Sequence, residues 1–182
     1  MPTYQVHTIA SAPEKSKPAL EQLQQSFGFI PNLVATISNS PKLLTGLLGL
    51  FQQVHSPGLT EAENQIVLLT DAVTNSSAYP VAFHTALAHE QGISPEETNA
   101  IRERRAPKDK RFAALSTLAK TFIEKRGHLS EQELNAFLDA GFTKEQIMEV
   151  ITIVAASTIT NYAATIANPP PEAQFQPFAW RA

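Results

Sequence analysis

Few side chains in this sequence can do covalent or acid–base chemistry, and the most suggestive of them stand together. The stretch Asn75-Ser-Ser-Ala-Tyr-Pro-Val-Ala-Phe-His84 brings a serine, a tyrosine and a histidine into one short segment. Ser77 and His84 suggest a nucleophile and its base. On one helix, however, seven residues separate their Cα atoms by about 10 Å, from the rise per residue. That is long for a hydrogen bond, and no third residue is spaced to orient the imidazole. Ser77 reads better as the N-cap of a helix starting at Ala78, its hydroxyl accepting from a backbone N–H. Pro80 then lies in the first turn, where no helical hydrogen bond is lost. His84 reads either as a hydrogen-bonded core histidine or as the polar group of a pocket. His84 and His89 are five residues apart and face differently around a helix, so the i, i+4 spacing of helical zinc ligands is absent. His7, His55 and His128 sit in scattered breaks. No metal or cofactor is expected.

The chain contains no cysteine, which excludes disulfides, thiolate nucleophiles and Cys-ligated metals. The Asn75–His84 stretch nonetheless resembles the active-site segment of the carboxymuconolactone decarboxylase / alkyl hydroperoxidase D-like family. That family's pattern is roughly Asn-x-Cys-x-Tyr-Cys-x-x-x-His, with a Glu about three helical turns before the first Cys. Asn75, Tyr79 and His84 fit it. Ser77 and Pro80 stand at the two Cys positions, and Gln65 at the Glu position. Phe27-Gly28-Phe29-Ile30-Pro31-Asn32 is similar to the Gly-hydrophobic-x-Pro-Asn segment of single-domain members. Leu138 to Asn161 is similar to their C-terminal helices. The likeness covers about residue 27 to the end.

The resemblance implies an all-α fold, an oligomer (dimer, trimer or hexamer), and a site built on positions 65, 77, 80 and 84. In members with peroxidase activity a thiolate attacks the peroxide, and its sulfenic acid condenses with the second thiol. A hydroxyl at 77, a proline ring at 80 and a neutral amide at 65 cannot do this. The family by itself implies a peroxiredoxin-type hydroperoxide reductase, kept as an alternative on that ground alone; on these residues the activity is expected to be absent. His84 remains as the one candidate catalytic residue, and Tyr79 with His84 as candidate ligand-binding residues. Lactone decarboxylation needs a base and groups that bind two carboxylates. Ala78 to Leu87 is apolar apart from His84 and Thr85, with no Arg close in sequence. The expectation is a degenerate enzyme or small-molecule-binding protein with a pocket near His84. The alternative is a non-enzymatic structural or interaction protein whose old site is only packing.

The formal net charge of −3 and the lack of a basic cluster argue against a nucleic-acid partner. Arg102, Arg104 and Arg105 read as a solvated helix end. Met1 to Gln25 has no apolar run of the signal-peptide type. Val150 to Ala167 is uncharged but carries Thr152, Ser157, Thr158, Thr160 and Asn161, so it reads as a buried core helix and not a membrane span. Met148 reads as core. A cytoplasmic protein without a membrane partner is expected.

The elements that must position these residues are all helical. One domain spans 1–182, with an N-terminal arm (1–12) and a Pro- and aromatic-rich C-terminal arm (168–182). Helices are expected over Pro13–Ser26, Pro31–Ser38, from Pro41 to about Val54, Thr60–Thr74, Ala78–Glu90, Asp109–Lys125, Glu131–Asp139 and Lys144–Ala167. The helix from Pro41 has an apolar face wide enough for more than one neighbour. Capping-box spacing occurs at Thr60/Glu63, Ser94/Glu97, Ser130/Glu133 and Thr143/Gln146. No segment shows sustained period-two alternation. The tail aromatics Phe175, Phe178 and Trp180 are costly to leave in water; they cover either their own subunit or a neighbour.

Overall fold

The computed structural model describes residues 4–181. The helices are α1 (Lys17–Phe27), α2 (Asn32–Ile37), α3 (Pro41–Val54), α4 (Glu61–Thr74), α5 (Ala78–Glu90), α6 (Pro95–Arg102), α7 (Lys110–Lys125), α8 (Glu131–Asp139) and α9 (Lys144–Ala167). Short 3-10 turns occur at Glu14–Ser16 and Ala173–Phe178. There is no strand among the described residues, so the fold is all-α. Residues 1–3 of the expected N-terminal arm and residue 182 of the C-terminal arm lie outside the described residues.

The organising element is α4. Ile66, Val67, Leu68, Leu69, Ala72 and Val73 point in nearly every direction around it and are all buried. A helix apolar on all sides must be surrounded, and α5, α6, α7 and α9 pack about it. The same helix buries Glu63, Asn64, Gln65, Thr70 and Asp71, so these polar groups need partners inside the protein. Thr70 finds one in Ser116 of α7, at 2.9 Å. Glu63 finds another in Arg111, whose Nη2 is 2.7 Å away. The Arg111 guanidinium also lies over the Phe142 ring at 4.0 Å.

Reciprocal capping boxes form at Thr60, Ser130 and Thr143. The fourth expected box is half made. Ser94 accepts from the Glu97 N–H, but the Glu97 carboxylate turns away and accepts from the Lys108 and Asp109 N–H groups. It satisfies the start of α7 instead of its own helix.

In α3 the buried residues are Leu44, Leu47 and Val54, while Leu43 is exposed; the helix packs on both α2 and α9, as its wide apolar face predicts. The expectation for α9 needs correction. In α9 one face, including Val150, Ile153, Ser157, Thr160 and Asn161, is buried. Met148, Ile151, Tyr162 and Ile166 are exposed, so Met148 is not core. Apolar residues run all round α9, and the subunit covers one side of it. Among the described residues α9 is the one helix long and apolar enough to cross a membrane by length and composition. Its buried face packs on α3, α4, α5 and α7.

The described residues of both arms lie on their own chain. The His7 N–H donates to Ala35, and Asn39 donates to the Gln5 carbonyl. In the tail, Phe175 is buried against Phe83 with ring centroids 4.9 Å apart. Arg102 donates to the Phe178 and Ala179 carbonyls, and the Trp180 indole donates to the Arg102 carbonyl. Arg104 lies 5.8 Å from the Trp180 ring centroid. The basic group at the end of α6 is therefore a clamp on the tail, not simply a solvated helix end.

Candidate functional site

The turn between α4 and α5 sets the site. α4 ends with Ser76 in the left-handed region (φ 54). The Ser77 N–H bonds back to Ala72 and the Ser76 N–H to Val73, the paired bonding that closes a helix C-terminus. Glycine usually takes this position; here Ser76 does, at the break the sequence places between Thr74 and Ala78. Asn75 donates from its side chain to the Asp71 carbonyl and carboxylate, which holds the turn onto α4.

Ser77 occupies the N-cap position of α5, as expected, and Pro80 falls in the first turn. The expected cap hydrogen bond is not made. An N-cap side chain serves the N–H of the second or third helical residue. The third is Pro80, which has none. The Ser77 hydroxyl, 2% exposed, instead donates to the Asn161 carbonyl of α9 at 3.2 Å. A sulfur-free residue at this position thus ties the start of α5 to α9.

His84 is 5% exposed. Its Nδ1 lies 3.0 Å from Gln65 Oε1, and Gln65 Nε2 donates to Glu61 Oε1 at 2.7 Å. Since the Gln65 amide nitrogen serves a carboxylate, its oxygen faces the imidazole, and His84 carries its proton on Nδ1. The chain of hydrogen bonds continues through Glu61 Oε2 to His55 Nδ1, 2.9 Å away. Glu61 and Gln65 stand four apart on α4, one above the other. The structure thus brings together Gln65 and His84, two positions singled out in the sequence, and adds Glu61 and His55. The i, i+4 pairing of Glu61 with Gln65 was the sequence signal for the first. No local signal marks His55, which reaches Glu61 across the α3–α4 loop.

Burial pushes the His84 pKa down to about 3; the charge of His55 adds to this and that of Glu61 opposes it. The imidazole is neutral at physiological pH. Burial also works against ionisation of Glu61, but hydrogen bonds from His55, Gln65 and Asn64 outweigh it, and its pKa is lowered. A neutral ring with Nδ1–H engaged leaves Nε2 as a hydrogen-bond acceptor. No protein donor meets Nε2 among the described residues. A nitrogen with so low a pKa is a poor base at neutral pH.

Tyr79 is placed differently. Its hydroxyl donates to the Glu172 carboxylate of the tail, at 2.9 Å from Oε1, and accepts from the Leu33 N–H at 3.4 Å. Burial, then the Glu172 charge, raise its pKa. The ring stacks beside Phe83, and Phe83 meets His84 edge-on at 5.3 Å. Arg102, distant in sequence, reaches α5 in space and donates to Thr85 at 3.0 Å. The guanidinium is spent on the tail and Thr85, so it gives the site no free carboxylate-binding group. Among the described residues no group of three or more His, Cys, Asp or Glu is placed to hold a metal.

An all-α subunit with a central buried helix and a Ser–Tyr–Pro–His helix start against it defines the class: an alkyl hydroperoxidase D-like fold. Residues 41–120 match the model of the carboxymuconolactone decarboxylase family. No curated protein matches the sequence. A peroxidase-related protein of Ralstonia eutropha JMP134, described as an alkylhydroperoxidase AhpD core, is 21% identical. It superposes with a TM-score of 0.83, covering 94% of this chain and 93% of that one. A peroxidase-related protein of Silicibacter sp. TM1040 is 18% identical, with a TM-score of 0.80 and coverage of 96% and 94%. A variant of the debrominase Bmp8 in complex with 2,3,4-tribromopyrrole is 16% identical, with a TM-score of 0.75 and coverage of 98% and 95%. At these identities the likeness establishes the fold.

Proposed function

We propose that this protein is a thiol-free member of the carboxymuconolactone decarboxylase family that binds a small molecule and does not reduce hydroperoxides. The observation that carries the reading is the use made of the three altered relay positions. Ser77 donates to α9, Pro80 stands in the first turn of α5, and Gln65 orients His84. A chain without any sulfur nucleophile cannot pass through a sulfenic acid. His84, neutral and with a free Nε2 lone pair, is the polar anchor that a ligand hydroxyl or N–H would meet. That a structural relative holds 2,3,4-tribromopyrrole supports a small cyclic ligand for this fold. The test has two arms. Purified protein is assayed for hydrogen peroxide and organic hydroperoxide reduction coupled to a dithiol. It is then screened by thermal shift against aromatic acids, lactones and halogenated pyrroles. Dithiol-coupled turnover above a denatured control would overturn the proposal; so would stabilising ligands whose effect is the same in His84→Phe.

A second reading, an interaction protein, is favoured by one observation. Met148, Ile151, Tyr162 and Ile166 follow one another at intervals of three, eleven and four residues, each near a whole number of helical turns, on the uncovered face of α9. Such a stripe is what a partner helix buries. We take the partner to be a second copy of the chain, giving a homo-oligomer built from single-domain cytoplasmic subunits.

A further inference from the structure

A cleft of about 360 Å³ lies between the end of α3, the start of α4 and the first half of α9. It is separate from the surroundings of His84, which does not line it. Leu50, Val54, Leu59 and Ile153 supply apolar walls, and Gln53, Ser56, Asn64, Glu149 and Thr152 supply polar groups. No Lys or Arg lines it. Asn64 is 2% exposed. Its Nδ2 donates to the Val54 carbonyl at 2.8 Å and to Glu61 Oε2 at 3.4 Å. Both partners are acceptors, so the orientation of the amide is fixed. Its Oδ1 is consequently the atom left over, buried and without a donor. Glu149 Oε2 is likewise buried without a partner. The carboxylate lies close against the α3–α4 loop: a Cβ on Gly58 would lie 2.5 Å from Glu149 Oε1.

Two unpartnered acceptors in one cleft call for donors. An anion would meet a carboxylate with no cation beside it. A hard metal ion prefers six or more oxygens, and the polar lining offers one carboxylate. The size of the cleft suits an organic molecule. A protonated primary amine carries three N–H donors and a positive charge.

We propose that this cleft binds a primary ammonium ligand with a small apolar body. The ammonium is shared between Asn64 Oδ1 and Glu149, and the body lies against Leu50, Leu59 and Ile153. The site stands independently of any ligand at His84. The cleft nonetheless touches the hydrogen-bonded chain, since Asn64 donates to Glu61 and Glu61 accepts from Gln65.

The intact protein is titrated calorimetrically with 2-phenylethylamine at neutral pH. The controls are 2-phenylethanol, phenylacetate and the N,N,N-trimethyl analogue, which keeps the charge but has no N–H. Saturable binding of the amine is expected, with each control at least about ten-fold weaker. Glu149→Gln should weaken the amine by a similar factor. Thr152→Leu, which adds volume from the cleft wall, should also abolish binding and covers the case in which Glu149→Gln does not fold. Methyl NMR shifts on Leu59 and Ile153 should report occupancy of the cleft. No saturable binding below roughly 10 mM, equal binding of the trimethyl analogue, or shifts confined to the His84 region would overturn the proposal. The last outcome would leave the His84 reading standing and remove this one.

Discussion

Two buried groups on α4 and α5 impose opposing pH dependences on stability, and a single substitution separates them. Burial pushes the Asp71 pKa from 3.8 up to about 7, against hydrogen bonds from Ser157 and Asn75. Burial pushes the His84 pKa from 6.5 down to about 3. Between pH 3.8 and 7 the folded state holds a proton on Asp71 that the unfolded state has released, so stability falls as pH rises. Between pH 3 and 6.5 the unfolded state binds a proton on His84 that the folded state refuses, so stability rises with pH. Each slope is about 1.4 kcal/mol per pH unit for a full proton. In the overlap they cancel. Asp71→Asn removes the falling slope while keeping the oxygen that accepts from Asn75, because an amide matches a protonated carboxyl in shape. Urea unfolding followed by circular dichroism, in half-unit steps from about pH 5 to 6.5, reads the effect. The parent should be nearly flat, and Asp71→Asn should gain about 1.4 kcal/mol per pH unit. The advantage of the variant should reach at most roughly 4 kcal/mol near pH 7. Above that both forms titrate alike. Glu61 and Glu63, whose pKa values are lowered, act below this window. Equal slopes for parent and variant would refute the reasoning, because Asp71 would then be ionised in the folded protein.

His84→Gln should show the opposite behaviour, with stability falling as pH rises over the same range, read in the same titration. Ser77→Cys alone should trap a sulfenic acid detectable by dimedone labelling without turnover; Ser77→Cys with Pro80→Cys and Gln65→Glu should give weak dithiol-coupled peroxide reduction. Ser77→Ala should cost about 1 kcal/mol, one buried hydrogen bond, measured by urea unfolding. Sedimentation at micromolar concentration should find at least a dimer, and Tyr162→Glu with Ile166→Glu should yield monomer; an unchanged mass would remove α9 from the interface. Arg102→Ala should speed hydrogen exchange across Ala173–Phe178, since the guanidinium holds the tail carbonyls.

The sequence by itself determined the helical architecture, most helix starts, and the chemistry that is missing. Capping residues and apolar period act over a few residues, so Thr60, Ser130 and Thr143 announce their helices locally. The absence of cysteine is a property of composition and needs no fold to interpret. The tertiary structure decided where each polar group spends its hydrogen bonds. Ser77 gives its hydroxyl to Asn161 and not to its own helix, because Pro80 removes the N–H of the third helical position and α9 passes within reach. Glu97 likewise turns to α7. The link from His84 through Gln65 and Glu61 to His55 joins two helices and a loop, and its members identify one another only when packed. The exposed stripe on α9 was hidden for the converse reason. Hydrophobicity says that a residue gains by burial, but which face of an all-apolar helix the subunit covers depends on how many neighbours the fold can place around it. Asn64 and Glu149 were invisible as a pair because a missing hydrogen bond cannot be read from residue types. It exists only once every available donor has been placed elsewhere.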